Sequence, residues 1–267
     1  MIKLTQVASD VETRKYAVII SGGPGLSSLT LRSLDLLKRS MNLVYVDFHG
    51  TNDVPYNEDA SLEKLSVAAE KELRHSLPLD SDIFLIAHSF GGFFASILAD
   101  LLPVKGIFCL SVPFSLGSLE SVVENYARKA TPSLKNAEAE WVKNRNDETF
   151  KKWLSEYGEL YFINPKGRDL LLNDKSSARF FLANRSDASD KEYLLDNLAQ
   201  KKILKVFISG KLDSLISEKA LEKDALRGGF QFLTVENASH FLTFDQPEKV
   251  ASLIEQNIAT VKLRGNL

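Results

Sequence analysis

Apolar residues in this chain fall into two alternating patterns. Short, nearly continuous runs rich in valine, isoleucine and phenylalanine give way to longer stretches in which leucine and alanine recur every third or fourth position. The first pattern fits a strand buried on both faces, the second an amphipathic helix. Read in order, residues 16–21 (YAVIIS), 43–48 (LVYVDF), 82–88 (DIFLIAH) and 104–112 predict strands. Between them, residues 27–39, 60–75 and 90–102 predict helices, the first carrying Leu29, Leu31, Leu34, Leu36 and Leu37. Strand followed by helix, repeated, is the layout of a mostly parallel sheet covered on both sides.

The rhythm breaks at residue 114 and returns at residue 201. Within the break, residues 141–161 and 191–200 predict helices, charge is dense, and no run predicts a strand. Beyond it, residues 203–209 (ILKVFIS) and 230–235 predict strands, and residues 217–226 and 247–259 predict helices. Neither flank has enough sheet to close a core alone. The expected fold is therefore α/β, with a mostly parallel, doubly wound sheet built from residues 1–112 and 201–267 and interrupted by a helical cap (lid) at residues 113–200.

Composition narrows the function more by exclusion than by indication. With 44% hydrophobic and 25% charged residues in 267, the chain has an ordinary globular make-up. A net charge of -2 gives no general electrostatic attraction to nucleic acid or to an anionic membrane. The single cysteine, Cys109, rules out an internal disulfide and reads as a buried thiol within the apolar run 107–110. The opening MIKLTQ lacks the basic start and apolar stretch of a secretory signal, and no run approaches the roughly 18 apolar residues of a membrane span. A cytoplasmic protein is the expectation. The histidines are scattered and no second cysteine accompanies them, so neither a metal nor another cofactor is expected.

The chemistry concentrates at three places. The predicted strand 82–88 runs into Ser89-Phe90-Gly91-Gly92 and then a helix, the context of a nucleophile elbow. Such a turn needs small residues two before and two after its apex, which Ala87 and Gly91 supply. The helix start would also turn free N–H groups and a positive dipole end toward charge forming beside Ser89. Serine needs a base to attack, and the base needs an acid to hold its tautomer. Asp213 follows the strand 203–209, and His240 follows the strand 230–235. That gives the order Ser, Asp, His expected of an elbow-type site. Glu218 falls within the following helix, which leaves Asp213 the better acid; His49, His75 and His88 have structural readings.

An oxyanion hole needs two N–H donors. One comes from Phe90, after the serine, and the other from the glycine-rich turn Ser21-Gly22-Gly23-Pro24-Gly25, with Gly23 first and Gly22 second. The turn lacks the Gly-Lys-Ser/Thr ending of a P-loop and the spacing of a dinucleotide fold.

With these motifs the chain resembles the α/β-hydrolase superfamily. Its Gly22-Gly23-Pro24-Gly25 turn looks most like that of proline iminopeptidase-related serine hydrolases. Their usual pattern begins with histidine where Ser21 stands, has glycine at the position of Ala87, and commonly tryptophan at that of Phe90. The resemblance implies an α/β-hydrolase fold and cleavage of an ester or amide bond in a small-molecule or short-peptide substrate, through a Ser89–His240–Asp213 triad and an acyl-enzyme. In iminopeptidases, cap acids hold the substrate's amino group; Glu156 and Glu159 correspond to that part, or else form a solvated face of a cap helix. A cap over the sheet edge would make an enclosed pocket with Phe114 and Trp141 among its apolar neighbours. The alternatives are a carboxylesterase or thioesterase without peptidase activity, and a non-catalytic relative that binds a ligand.

Overall fold

The computed structural model describes residues 2–58, 61–185 and 191–264. Among these, β1 (Ile2–Val7), β2 (Lys15–Ile20), β3 (Asn42–Phe48), β4 (Asp82–His88), β5 (Gly106–Leu110), β6 (Leu204–Gly210) and β7 (Gln231–Val235) form one seven-stranded sheet, in the order β1-β3-β2-β4-β5-β6-β7. Every neighbouring pair is parallel except β1 with β3, where Leu4 sits opposite Val46 in antiparallel register. Six of these strands match the sequence expectation; β1 does not. Its short IKLTQV segment is an edge strand with no fully buried residue, so it lacks the apolar density that marks the others.

Helices α1 (Leu62–Ser76), α2 (Gly91–Leu101), α9 (Glu218–Arg227) and α11 (Pro247–Arg264), together with a 3-10 helix at Ser28–Arg39, connect or close the strands. Between β5 and β6 lie α3 (Leu116–Lys129), α4 (Pro132–Lys143), α5 (Asp147–Tyr161), α6 (Gly167–Leu172), α7 (Ala178–Asn184) and α8 (Tyr193–Ala199); a short turn, α10 (Leu242–Asp245), precedes α11.

The sheet sorts its side chains by parity. Val18, Ile20, Val44, Val46, Leu85, Ala87, Ile107 and Cys109 share one core with α1 and α2. Ala17, Ile19, Leu43, Tyr45, Ile86, Phe108 and Ile208 share the other with the 3-10 helix and α11. Both faces are covered, which is why the strands read as continuous apolar runs. Burial holds the Cys109 thiol far above its usual range, so it stays protonated as a core group. No helix among the described residues is long and apolar enough to cross a membrane.

Several expected helices change form. The segment 28–39 winds as a 3-10 helix, and its buried Ser28, Leu31, Leu34 and Leu37 repeat every third residue, the period of that helix. The helix expected from residue 60 starts at Leu62, where the Ser61 hydroxyl accepts from Lys64 N–H; Ala60 lies outside the described residues. The single helix expected over 141–161 is two. Asn146 caps α5 by accepting from Thr149 N–H, and Thr149 answers in a capping box, so the chain restarts there. The expected helix 191–200 is α8, which packs on α2 and α9.

Buried carboxylates pin the turn after β2. Asp47 accepts from Ser28 N–H (2.7 Å), Ser28 Oγ (2.9 Å) and Asn52 Nδ2 (2.7 Å). Asp174, from the stretch between α6 and α7, accepts from Ser27 N–H (3.0 Å) and from Ser27 Oγ, while Ser177 N–H donates to Gly25 O (2.8 Å). Burial, against the pull of the Ser27 donors, raises the Asp174 carboxyl to about 6. The folded protein therefore holds this proton more tightly than the unfolded chain, and stability falls as pH rises from the ordinary carboxylate value toward 6. Asp174→Asn should gain stability relative to the parent between about pH 4 and about pH 7. Urea midpoints at the two ends measure it; an identical pH dependence in both proteins would refute it.

Candidate active site

Ser89 begins where β4 ends. Its φ of 49° lies in the left-handed region, costly for a residue with a side chain and persistent only where the surroundings impose it. Here they do. Ser89 N–H donates to Leu110 O (2.8 Å), and Gly92 N–H donates to Ser89 O (2.9 Å). Gly91 is pressed so closely on the end of β2 that a Cβ there would lie 2.5 Å from Ser21 O.

Asp213 and His240 meet at the carboxyl ends of β6 and β7. His240 Nδ1 lies 2.9 Å from Asp213 Oδ2, and both side chains are 1% exposed. A carboxylate can only accept, so the imidazole carries its proton on Nδ1 and its lone pair on Nε2. Nε2 is buried and has no hydrogen-bond partner among the described residues. The other carboxylate oxygen accepts from Leu215 N–H (2.8 Å) and Ile216 N–H (2.9 Å). Leu212 N–H donates to Ala238 O (2.8 Å) and ties the two loops together. Gly210 makes this approach possible, since a Cβ there would lie 2.1 Å from Ser239 O.

Two further side chains flank the imidazole. The His88 ring centroid is 4.9 Å away, and His88 Nε2–H donates to the His240 carbonyl (3.0 Å). Burial, with help from His240, lowers His88 to about 3, so it stays neutral. On the other side Tyr161 stacks on His240 at 5.3 Å and 19°. The Tyr161 carbonyl accepts from Ser239 Oγ (2.6 Å) and Phe241 N–H (3.2 Å), joining the end of α5 to the histidine loop.

A cavity of about 230 Å³ opens beside Ser89. Gly23, Pro24 and Phe90 line it with Ser89, and Phe93, Trp153, Tyr157, Tyr161, Phe181 and Ile216 form much of its apolar wall. Arg185 is the charged side chain among the lining residues. The N–H groups of Phe90 and Gly23 make no hydrogen bond within the described residues. Gly22 lies against the turn, its Cβ position 2.8 Å from Ser89 Cβ.

Four expected substrate contacts sit elsewhere. Glu156 and Glu159 pair with Arg168 at 2.5 and 3.3 Å and do not line the cavity. Phe114 packs edge-on behind Phe93, and Trp141 packs on Phe150 and Phe181, each one layer back. Sequence reasoning missed Trp153, Tyr157 and Tyr161, although their spacing of four puts all three on one helix face, a readable signal.

No curated protein sequence matches the chain. Solved structures do match it in shape. A proline iminopeptidase from Mycobacterium smegmatis is 14% identical with a TM-score of 0.72, over 99% of this chain and 96% of that one. A carboxylesterase structure from the thaumarchaeon Nitrososphaera gargenis is 13% identical with a TM-score of 0.75, over 98% and 96%. A thermophilic esterase from Thermogutta terrifontis is 17% identical with a TM-score of 0.68, over 97% and 93%. At these identities the likeness is one of fold. A family model described as the alpha/beta hydrolase family matches residues 17–253, and the chain, with its parallel sheet and strand-to-helix turn at Ser89, belongs to that family.

Proposed function

We propose that the protein is a serine hydrolase acting on esters of small apolar acyl groups, with Ser89 as nucleophile, His240 as base and Asp213 as the acid that orients it. The observation that carries this reading is the buried Nε2 of His240, unpartnered among the described residues, whose opposite nitrogen is fixed by Asp213, in a site where Ser89 lines the cavity. Ser89 Oγ attacks the carbonyl carbon as Nε2 takes its proton. The oxyanion rests on Phe90 and Gly23 N–H, and collapse expels the alcohol, which takes the proton back. Water then attacks the acyl-enzyme by the same route and frees the acid.

The cavity favours an ester over a peptide with a free amino end. An ammonium group needs a carboxylate, and the two candidates, Glu156 and Glu159, are occupied by Arg168. The charged residue at the cavity is Arg185, which suits a neutral or anionic substrate. A volume of about 230 Å³ lies below the ~300–1,000 Å³ of drug-sized sites, so short acyl chains fit best. In this reading α5 and α7, which supply Trp153, Tyr157, Tyr161 and Phe181, act as the cap over the sheet edge.

A fluorophosphonate probe should label the parent protein at Ser89, and short p-nitrophenyl esters should be hydrolysed well ahead of prolyl or other aminoacyl anilides. Preference for the anilides would restore the iminopeptidase reading. Absence of both labelling and turnover would leave a non-catalytic binding protein.

A further inference from the structure

Tyr161 occupies an unusual junction. Its ring lines the cavity and lies nearly parallel to the His240 imidazole, with centroids 5.3 Å apart and planes 19° apart. Its carbonyl, two atoms along the backbone, holds Ser239 and Phe241 on either side of that histidine. Tyr161 is 8% exposed, and its hydroxyl makes no hydrogen bond among the described residues. The ring meets Tyr157, Phe162 and Phe241 edge-on or tilted, so among the described residues its one near-parallel ring contact is with His240.

When His240 accepts the serine proton it becomes a cation. Asp213 faces it along the Nδ1 edge, but the ring's flat side meets no charge of opposite sign among the described residues. The titratable groups around it are Asp213 after β6, His88 on β4 and Tyr161 on α5, with Tyr157 a further layer behind Tyr161 at 5.0 Å. His88 is neutral, spends its one donor on the His240 carbonyl, and is tilted 58° to the imidazole, whereas Tyr161 lies nearly parallel to it. An aromatic face within about 6 Å of a cation attracts it through the ring quadrupole, most strongly where water is excluded.

Resting on the reading of His240 as base, we propose that Tyr161 is a positioning residue whose ring face stabilises the imidazolium formed during each proton transfer. It thereby makes the base depend on the placement of α5. Burial and the charge of Asp213 push the Tyr161 phenol up, so the ring stays neutral across the working range. The carbonyl tethers survive any substitution at this position, and the contribution of the ring can be read separately.

Tyr161→Leu keeps an apolar side chain but removes the ring face. A less stable imidazolium means a weaker base. The acid limb of the kcat/KM pH profile should therefore move to lower pH by about half a unit or more, and kcat should fall about fivefold to thirtyfold, more than any change in KM. Tyr161→Phe should leave the limb where the parent has it, whatever the lost hydroxyl does to KM. Phenylalanine carrying progressively more ring fluorines at position 161 preserves shape and drains the face of negative charge, so the limb should step downward along the series even if Tyr161→Leu fails to fold. A limb that stays fixed through the fluorinated series, or moves upward in Tyr161→Leu, overturns the proposal. His240→Ala, run in parallel, separates the two levels: retained hydrolysis there would remove the base itself, whereas lost hydrolysis with an immobile limb in the Tyr161 variants would remove only this inference.

Discussion

Ser89→Ala is expected to lower hydrolysis of short p-nitrophenyl esters at least about ten-thousandfold, abolish fluorophosphonate labelling, and leave the urea midpoint near that of the parent. Activity should not vanish entirely. The N–H groups of Phe90 and Gly23 and the fixed cavity remain, and in such sites they still stabilise the oxyanion after the nucleophile is lost. The near-constant stability follows from the surroundings of the serine. Its backbone bonds to Leu110 and Gly92 hold the turn, and its side chain lines the cavity instead of filling a core space. Releasing a left-handed φ of 49° from serine to alanine changes little, since both carry a Cβ. A variant that keeps more than about a hundredth of the parent rate would remove Ser89 from the nucleophile's place.

Gly91→Ala should produce a large loss of stability from a small change. The added methyl would sit 2.5 Å from Ser21 O and 2.7 Å from Ile20 O, both backbone atoms at the end of a central strand. Neither can move without shifting β2 or the start of α2, and each carries part of the site. A cost of about 3 kcal/mol is expected, at the upper end for overpacking, and activity should fall with it because Gly23 follows directly from the displaced strand end. Gly117→Ala is the matched control, since its nearest atom would be 3.8 Å away in the first turn of α3. Calorimetric or urea unfolding of the two variants measures the contrast; equal stabilities would show that the strand end yields.

Much of the frame could be read from the residues because a strand buried on both faces has few polar positions to confuse the pattern. DIFLIAH and ILKVFIS can scarcely be anything else once glycines or serines close them. The proposed serine, aspartate and histidine could be picked out for a related reason: each follows a strand that could be recognised, so their chain order carried spatial meaning. Where that support failed, so did the reading. β1 is an edge strand whose residues are all half-buried or exposed, and its partner β3 lies far along the chain. The described residues between 113 and 200 form helices from short amphipathic pieces separated by caps such as Asn146 and Ser177, and their arrangement depends on contacts of long sequence separation. The same is true of the partners of Glu156 and Glu159. Arg168 reaches both from the start of α6, and nothing in local spacing identifies it.

The loop bearing His240 owes its shape to partners that the ribosome makes long before it. Its contacts reach back 27 residues to Asp213, 78 to Tyr161 and 152 to His88. A nascent or truncated chain that has already formed β2, β4 and the turn at Ser89 therefore lacks the proposed base beside its hydroxyl. In the proposed mechanism, hydrolysis switches on only when nearly the whole polypeptide has been threaded into place, and a partly assembled chain would be chemically silent.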